Sequence, residues 1–392
     1  MKKILIVNNN MNVGGVQKSL YNLLWSIHEL NKYDITLLLF DKDGEYTEKL
    51  PDGIKVIECG GPFRFLGKSQ SEFKKNKIDF IVRSFFAGIS RIFGRSLALR
   101  LMILFQPKLK EEFDVAVSFI HNGRRKAFYG GVQEYVLSCV KAKKKVAFLH
   151  CDYSQCGANH KENNKMMFKF DKIAACSDGC RKVFESVLPQ LKDKCITVRN
   201  CHRFEEVKEN ADEKSMVYDS DFINVITVAR LSHEKGIDRG IKAVEYCLKK
   251  GIKLRLHIVG GGVEYESLKE LAESLKISEN VVFYGEKSNP YRYMKNADLF
   301  LLTSYHEAAP MVIDEARCLG LPVLTTETTS SNEMVTEEGA GWVCENSQES
   351  LNETLFQILS HKELLFGLKN RISKQQVNNN KAISRLDELF SI

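Results

Sequence analysis

The chain has 392 residues, with 44% hydrophobic and 27% charged residues and a formal net charge of +7 at pH 7. These values are typical of a soluble globular protein, and the length indicates two domains rather than one core. No run of eighteen apolar residues occurs, which excludes a predicted membrane-spanning helix. The four apolar residues after Lys2 and Lys3 are too few for a signal peptide. We therefore expect a cytoplasmic protein.

The eleven cysteines predict buried thiols rather than a disulfide framework. Their number is odd and their spacing irregular, and neither Cys151 with Cys156 nor Cys176 with Cys180 has a matching second pair of zinc ligands. Thiols of this kind are typical of a reducing compartment.

The first half of the chain alternates strand-like and helix-like patterns. Residues 4–7 form an apolar run that ends in a loop with Gly14 and Gly15, and apolar residues then recur at helical spacing up to residue 30. Further strand-like runs cover residues 35–40, 115–120, 145–149, 172–176 and 196–198. Buried strands that alternate with helices predict a parallel α/β sheet.

Residues 62–110 form a basic and apolar segment, with eleven Lys and Arg residues against two acidic ones. A basic amphipathic stretch suits the anionic inner face of the plasma membrane, where the protein would then be peripheral. A buried helix with a solvated basic rim explains the pattern equally well. We do not expect nucleic-acid binding, because no nucleic-acid motif accompanies the charge.

The second half begins after residues 209–214, whose composition is that of a linker, and repeats the α/β pattern. Its predicted strands cover residues 222–228, 254–259, 281–284, 299–302 and 322–325. Two doubly wound domains would place a ligand crevice at the carboxyl ends of their strands, facing a central cleft.

Two groups of charged residues follow strands of this second half. Arg230 and Lys235 lie five residues apart around a turn, where they could grip two oxygens of a diphosphate; the alternative is an ordinary charged loop. Glu307 and Glu315 follow the run 299–302 at the predicted start of a helix, with Thr303 and Ser304 as candidate N-caps. Two such glutamates could bind ligand hydroxyls, or could be a cap and a solvated side chain.

Taken in order, these motifs resemble a known family. They are Arg230-Leu-x-x-x-Lys235-Gly236, Ile258-Val259-Gly260-Gly261-Gly262, Val281-x-Phe283-x-Gly285, Tyr293-x-x-x-Ala297-Asp298 and Glu307-x7-Glu315. Together they look like the C-terminal half of the retaining GT-B glycosyltransferases of the GT4 family, over roughly residues 224–345. The first half is similar more loosely, through Gly14-Gly15-Val16-Gln17 and His150. The resemblance implies sugar transfer from a nucleotide diphosphate, often onto bacterial polysaccharides or lipid-linked oligosaccharides.

The resemblance also implies roles for single residues. Arg230 and Lys235 match the pair that neutralises the donor diphosphate, Glu307 the glutamate near the transferred sugar, and Glu315 the one that holds the ribose. His150 matches a histidine that faces the donor sugar.

Other positions match the parts of the donor site that act through the backbone. Gly14 and Gly15 match a glycine loop that approaches the donor phosphates or the acceptor, and Gly285 lies in the loop that reads the base. Ala308 stands where the family usually has glycine, so sugar preference does not carry over. The remaining residues assigned to the donor site are Ala309, Pro310, Met311 and Val312.

No metal or other cofactor is expected. Asp41-Lys42-Asp43 and Asp219-Ser220-Asp221 mimic the metal-binding DxD of another glycosyltransferase fold, but we interpret both as surface turns. Gly260-Gly261-Gly262 departs from G-x-G-x-x-G, which argues against a nicotinamide dehydrogenase.

The sequence thus predicts a two-domain GT-B glycosyltransferase. Residues 1–205 would bind a polysaccharide or polyprenyl-diphosphate-linked acceptor, with the tail 376–392 packing back on them, and residues 206–375 would bind a UDP- or GDP-sugar. The transfer would occur on the same face of the sugar from which the diphosphate leaves. The alternatives are a sugar-nucleotide epimerase, a phosphorolytic enzyme, or a catalytically silent partner in a polysaccharide assembly complex.

Overall fold

The computed structural model describes residues 1–391 and divides into two compact units. Unit 1 comprises Met1–His202 with the tail from Asn379, and unit 2 comprises Arg203–Asn378. The predicted boundaries were 205/206 and 375/376. Each unit contains one sheet, and every pair of neighbouring strands in both sheets is parallel.

Unit 1 has a seven-stranded sheet in the order β3-β2-β1-β4-β5-β6-β7. Its strands are β1 (Lys2–Asn8), β2 (Tyr33–Leu39), β3 (Lys55–Glu58), β4 (Glu112–Ser118), β5 (Lys141–Leu149), β6 (Lys172–Ala175) and β7 (Cys195–Thr197). Its first six helices are α1 (Gly15–Glu29), α2 (Lys77–Phe93), α3 (Arg95–Phe105), α4 (Val132–Cys139), α5 (Lys161–Met167) and α6 (Asp178–Val187). The central strands are apolar on both faces because helices cover both.

Unit 2 has a six-stranded sheet in the order β10-β9-β8-β11-β12-β13. Its strands are β8 (Ile223–Val228), β9 (Leu254–Val259), β10 (Val281–Gly285), β11 (Leu299–Leu302), β12 (Val323–Thr326) and β13 (Gly341–Cys344). Its helices are α7 (Phe204–Asp212), α8 (Ile237–Lys249), α9 (Tyr265–Ser274), α10 (Tyr291–Met294), α11 (Met311–Cys318), α12 (Gln348–Ser360) and α13 (Lys362–Ile372).

The chain returns to unit 1 in its last helix, α14 (Asn380–Phe390). Leu386 and Phe390 are buried in the apolar core of unit 1. The Tyr33 hydroxyl donates a hydrogen bond of 2.6 Å to the Asp387 carboxylate, and the Tyr33 and Phe390 rings meet edge to face at 5.4 Å. The tail is therefore an integral part of unit 1.

The structure corrects two local predictions. Residues 209–212, interpreted as linker, belong to helix α7, because Val207 and Ala211 pack into the core of unit 2. Asp41, interpreted as part of a surface turn, is buried, and its carboxylate lies 3.0 Å from Lys68 Nζ. Lys68 also bonds Asp43 at 2.8 Å, so both aspartates are engaged by one lysine.

The basic segment folds as α2 and α3, with short 3₁₀ turns before them. Among residues 1–391, no helix is long and apolar enough to cross a membrane. Arg95 is 2% exposed and forms an ion pair of 3.2 Å with Glu134, so it belongs to the interior. Arg91 and Arg100 are exposed. The segment therefore combines a buried side with an exposed basic and apolar face.

Candidate functional site

The carboxyl ends of the strands of unit 2 form the candidate site. From β8 the chain passes to β9 on one side of the sheet, whereas from β11 it passes to β12 on the other side. The strand order therefore reverses between β8 and β11, and the loops that follow these strands diverge there. In open parallel sheets such a switch point is where ligands bind.

An ion pair joins the two loops at the switch point. Lys235 Nζ, after β8, lies 2.6 Å from Glu307 Oε1, after β11. The Ser304 hydroxyl donates a second hydrogen bond of 2.7 Å to the same carboxylate oxygen. The Glu307 and Lys235 side chains are 10% and 22% exposed. A cation and a carboxylate are thus held together at the ligand edge, with access for a ligand to both.

Backbone bonds hold these loops in place. The Thr303 hydroxyl donates to the Gly236 carbonyl at 2.7 Å, and the Tyr305 N–H donates to the Glu234 carbonyl at 2.9 Å. Gly236 has φ of 56°, and a Cβ there would lie 2.4 Å from the Thr303 carbonyl oxygen. Only glycine permits this close approach, which brings the Lys235 loop against the Glu307 loop.

A buried arginine contacts the Glu307 loop. This contact was not predicted from the sequence. Arg239, in α8, is 3% exposed, and its guanidinium donates to Asn346 Oδ1 at 2.6 Å and lies over the Tyr305 ring at 4.7 Å. The Asn346 amide donates to the Tyr305 carbonyl at 3.1 Å. Ser304 and Arg239 are therefore further residues of the site, and the partner Asn346 is too distant in sequence to be recognised by a motif.

The glycine turn after β9 packs against the Arg230 loop. A Cβ at Gly260, whose φ is 146°, would lie 1.8 Å from the Ala229 carbonyl oxygen. The Leu231 N–H donates to the Gly261 carbonyl at 2.8 Å, and the Gly260 N–H donates to the Gly285 carbonyl at 2.9 Å. The glycines allow backbone-to-backbone contact, and Arg230 remains exposed at the edge.

The two glutamates lie in different elements. Glu307 is in the loop, whereas Glu315 is inside α11 and is 5% exposed. Thr303 and Ser304 do not cap this helix, because it begins only at Met311, after Pro310. Their hydroxyls instead bond the Gly236 carbonyl and the Glu307 carboxylate. The prediction of their role as N-caps is wrong.

The rest of the predicted donor segment surrounds the start of α11. Ala308 and Ala309 are half-buried in the loop, and Met311 and Val312 form the first turn of the helix. Pro310 lies between loop and helix, with extended backbone (φ −69°, ψ 113°). The segment thus passes from the Glu307 loop directly into the helix that contains Glu315.

In unit 1 the strand order reverses between β1 and β4. Gly14 ends the loop after β1, and its carbonyl accepts from Lys18 N–H at 2.8 Å in the first turn of α1, which begins at Gly15. The Gly14 φ of 177° is extended backbone, so its conformation does not itself require glycine. Both glycines therefore border the ligand edge of this sheet.

His150 follows β5 at the same edge. Its ring lies 4.6 Å from the Phe119 ring and stacks on Phe148 at 5.7 Å. Burial, helped by the neighbouring His121, lowers the pKa of His150 to about 3. The imidazole is therefore neutral at physiological pH, and its buried Nε2 has no hydrogen-bond partner among the described residues.

The family comparison concerns unit 2. Residues 208–376 match the family model described as glycosyl transferases group 1. Unit 2 is thus similar to the group 1 glycosyl transferases. The match lies wholly within unit 2 and includes both loops of the switch point.

Curated relatives match a part of the chain. The lipopolysaccharide glucosyltransferase WaaG of Escherichia coli K12 is 35% identical over 132 residues, which are 33% of this chain and 35% of WaaG. The putative colanic acid biosynthesis glycosyltransferase WcaL of the same strain is 32% identical over 184 residues, or 43% of this chain and 45% of WcaL. The chain thus spans less than half the length of these relatives.

Solved structures match both units. HepE of Anabaena, in complex with UDP and glucose, has a TM-score of 0.69 at 14% identity and covers 99% of both chains. The WaaG crystal structure has a TM-score of 0.60 at 17% identity, over 97% of this chain and 98% of WaaG. The predicted GT-B fold, with two Rossmann-like domains, is confirmed.

Proposed function

We propose that the protein is a retaining glycosyltransferase of the GT4 family that transfers a hexose-type sugar from a UDP- or GDP-sugar. Its acceptor would be a polysaccharide or a polyprenyl-diphosphate-linked oligosaccharide. The observation that carries the proposal is the Lys235–Glu307 ion pair at the switch point of the unit whose sequence matches the group 1 glycosyl transferases. Relatives named for lipopolysaccharide and colanic acid synthesis, and a structural neighbour bound to UDP and glucose, support the substrate classes.

Each charged residue assigned to the ligand edge of unit 2 has a role in this reaction. Arg230 and Lys235 balance the donor diphosphate, with Arg230 as a planar fork and Lys235 as a point charge. Glu307 accepts hydrogen bonds from sugar hydroxyls, and Glu315 from the ribose. The backbone amides of residues 308–312 bind the sugar at the start of α11.

The chemistry follows from where charge develops. As the diphosphate leaves, the sugar becomes oxocarbenium-like and negative charge collects on the phosphate oxygens. Fixed cations at that place stabilise the transition state more than the ground state. The acceptor hydroxyl attacks the face from which the diphosphate departs, and its proton passes to the departing phosphate. Neutral His150 orients the donor sugar.

Donor binding is tested first by thermal unfolding with UDP, GDP, ADP and their sugars. A ligand at about 100 times its dissociation constant stabilises the native state by about 2.7 kcal/mol, so one nucleotide class should raise Tm clearly. Lys235→Ala should lose this stabilisation. Lys242→Ala is the matched control, because Lys242 is exposed and pairs with Asp238, one turn earlier in α8. No stabilisation by any nucleotide would refute the proposal.

Turnover separates the remaining candidates. A transferase releases nucleoside diphosphate only when an acceptor is supplied, whereas an epimerase converts the donor without one. A silent assembly partner would bind the donor and release nothing. We expect activity to be independent of added Mg²⁺ or Mn²⁺, and an absolute need for either would contradict the metal-free site.

We further propose that α2 and α3 contact the anionic inner face of the plasma membrane, where a lipid-linked acceptor resides. Ile78, Ile81, Phe85 and Ile92 recur at three-, four- and seven-residue spacing along one side of α2 and are 61–73% exposed. Phe93, Leu104 and Phe105 extend the exposed apolar surface, and Arg91 and Arg100 lie beside it. An apolar stripe with cations suits an anionic lipid surface.

Co-sedimentation with vesicles tests this contact. Reversing Arg91 and Arg100 to Glu should weaken binding to anionic vesicles at least about tenfold, since each cation near such a surface contributes about 1 kcal/mol. Reversing Lys253 and Lys269, exposed residues of unit 2, makes the same change of net charge and should have little effect. Equal binding of both double variants, or equal binding to neutral vesicles, would refute the contact.

A further inference from the structure

Three metal-ligating side chains meet at the ligand edge of unit 1. His121, Cys151 and Cys156 each offer one donor atom, and the three atoms lie within 4.8 Å of one another. His121 follows β4, whereas the two cysteines lie in the loop that follows β5. The group therefore joins two neighbouring loops, and the sequence alone did not reveal it because His121 precedes Cys151 by a whole helix and strand.

The surroundings of these three side chains favour binding of a metal ion. The Nδ1 atom of His121 is buried and has no hydrogen-bond partner among the described residues. A buried nitrogen in this state normally costs free energy unless a ligand satisfies it.

The two thiols interact with each other. A hydrogen bond joins the Cys151 and Cys156 thiols. His121 and Cys156 are only half-buried, which leaves a path for an ion. Two sulfurs and one imidazole are soft and borderline donors, whereas Mg²⁺ and Ca²⁺ prefer oxygen.

We propose that His121, Cys151 and Cys156 bind a Zn²⁺ ion, with solvent as the fourth ligand. Zinc–sulfur and zinc–nitrogen bonds of about 2.3 and 2.0 Å need only a small closure of the present arrangement. Binding releases the thiol protons of Cys151 and Cys156 to solvent and ties the loop after β4 to the loop after β5. Because Cys151 is the neighbour of His150, the ion holds that histidine at the edge of the sheet. The site stands on these three residues whether or not the protein transfers sugars.

Titration of the reduced, metal-free protein with Co²⁺ under anaerobic conditions tests the site directly. We expect one equivalent to give an intense near-ultraviolet thiolate-to-cobalt charge-transfer band with strong visible bands of tetrahedral coordination, and one equivalent of Zn²⁺ to abolish both. Absence of these bands in the wild-type protein overturns the proposal. So does formation of a Cys151–Cys156 disulfide in air at a rate that Zn²⁺ does not change, because bound thiolates would be protected.

Variants identify the ligands. Cys156→Ser and His121→Gln should lose the one-equivalent binding while circular dichroism shows the native fold. Cys180→Ser is a near control, since Cys180 Sγ lies 3.9 Å from Cys176 Sγ in an adjacent thiol pair outside the donor set, and Cys318→Ser in unit 2 is a remote control. Both controls should keep full binding. Unchanged binding in Cys156→Ser, or loss of binding in Cys180→Ser, would refute this ligand set.

Discussion

The two units share one sheet architecture, but the side chains singled out at their strand ends differ in charge. In unit 2 the edge is ionic, since Lys235 and Glu307 pair across the switch point and Arg230 is exposed in the loop that contains Lys235. In unit 1 the edge is neutral at His150, whose imidazole is packed against Phe119 and Phe148. The ionic edge suits a charged diphosphate, and the neutral edge suits sugar and acceptor hydroxyls. One fold repeated twice thus serves two parts of a proposed transfer reaction.

The largest effect is expected when the ionic edge loses its lysine. Lys235→Ala should lower turnover about 10²–10³-fold, the usual cost of removing one group that stabilises developing negative charge. Initial rates of nucleoside diphosphate release measure it.

The exposed pair Lys242–Asp238 provides the comparison for this variant, and Lys242→Ala should change the rate less than twofold. A Lys235→Ala enzyme with full turnover would show that the ion pair only holds the loops together. The charge at the ligand edge of unit 2 would then have no role in catalysis.

Two glycines test how the ionic edge is built. Gly260→Ala should destabilise the protein about 1–3 kcal/mol more than Gly285→Ala, the cost of displacing packed neighbours. Both residues have positive φ, but a Cβ at Gly260 would strike the Ala229 carbonyl, whereas a Cβ at Gly285 meets open space. Urea unfolding measures the difference. Equal destabilisation would mean that the backbone contact between the Gly260 and Arg230 loops yields easily.

Most of the fold could be predicted because the central strands are continuous apolar runs. Leu254–Val259 and Leu299–Leu302 were predicted with their observed bounds. The two strands that were not predicted, Lys55–Glu58 and Gly341–Cys344, lie at sheet edges and carry few buried residues. A half-exposed strand of four residues has too little apolar pattern to be recognised.

The candidate site was predictable where its parts lie close together in sequence. Arg230 with Lys235, and Glu307 with Glu315, keep fixed spacings along the chain. The Arg239–Asn346 contact and the His121–Cys151–Cys156 group depend on which loops the topology brings together. The hydroxyls of Thr303 and Ser304 were predicted to accept from backbone N–H groups as N-caps, but they donate instead to the Gly236 carbonyl and the Glu307 carboxylate, because the helix begins only at Met311.

Unit 2 also contains a buried, uncharged histidine, His257. His257 Nε2 lies 3.0 Å from Asn224 Oδ1 and Nδ1 lies 3.1 Å from the Tyr284 hydroxyl, and burial lowers its pKa to about 4. Unfolded histidine has a pKa of about 6.5. Below that pH the unfolded state binds a proton that the folded state does not.

The free energy of unfolding should therefore fall as pH drops from 6.5 towards 4, by up to about 1.4 kcal/mol per pH unit for this group. His257→Gln, whose amide can still donate to Asn224, should remove this part of the pH dependence. Urea unfolding of both proteins between pH 5 and 7.5 tests it. A constant difference between them over that range would contradict a neutral His257.

The smallest effect is expected at the neutral edge of unit 1. His150→Gln should lower turnover by about tenfold or less, the usual range for one lost hydrogen bond, and His361→Gln, outside both edges, should leave it unchanged. Because burial lowers the pKa of His150 to about 3, its ring stays neutral from pH 5 to 8. Over that range the ratio of wild-type to His150→Gln rates should be constant. A ratio that changes around pH 6.5 would show that His150 gains a proton in the working enzyme, and the contrast between this histidine and the Lys235–Glu307 pair would then be lost.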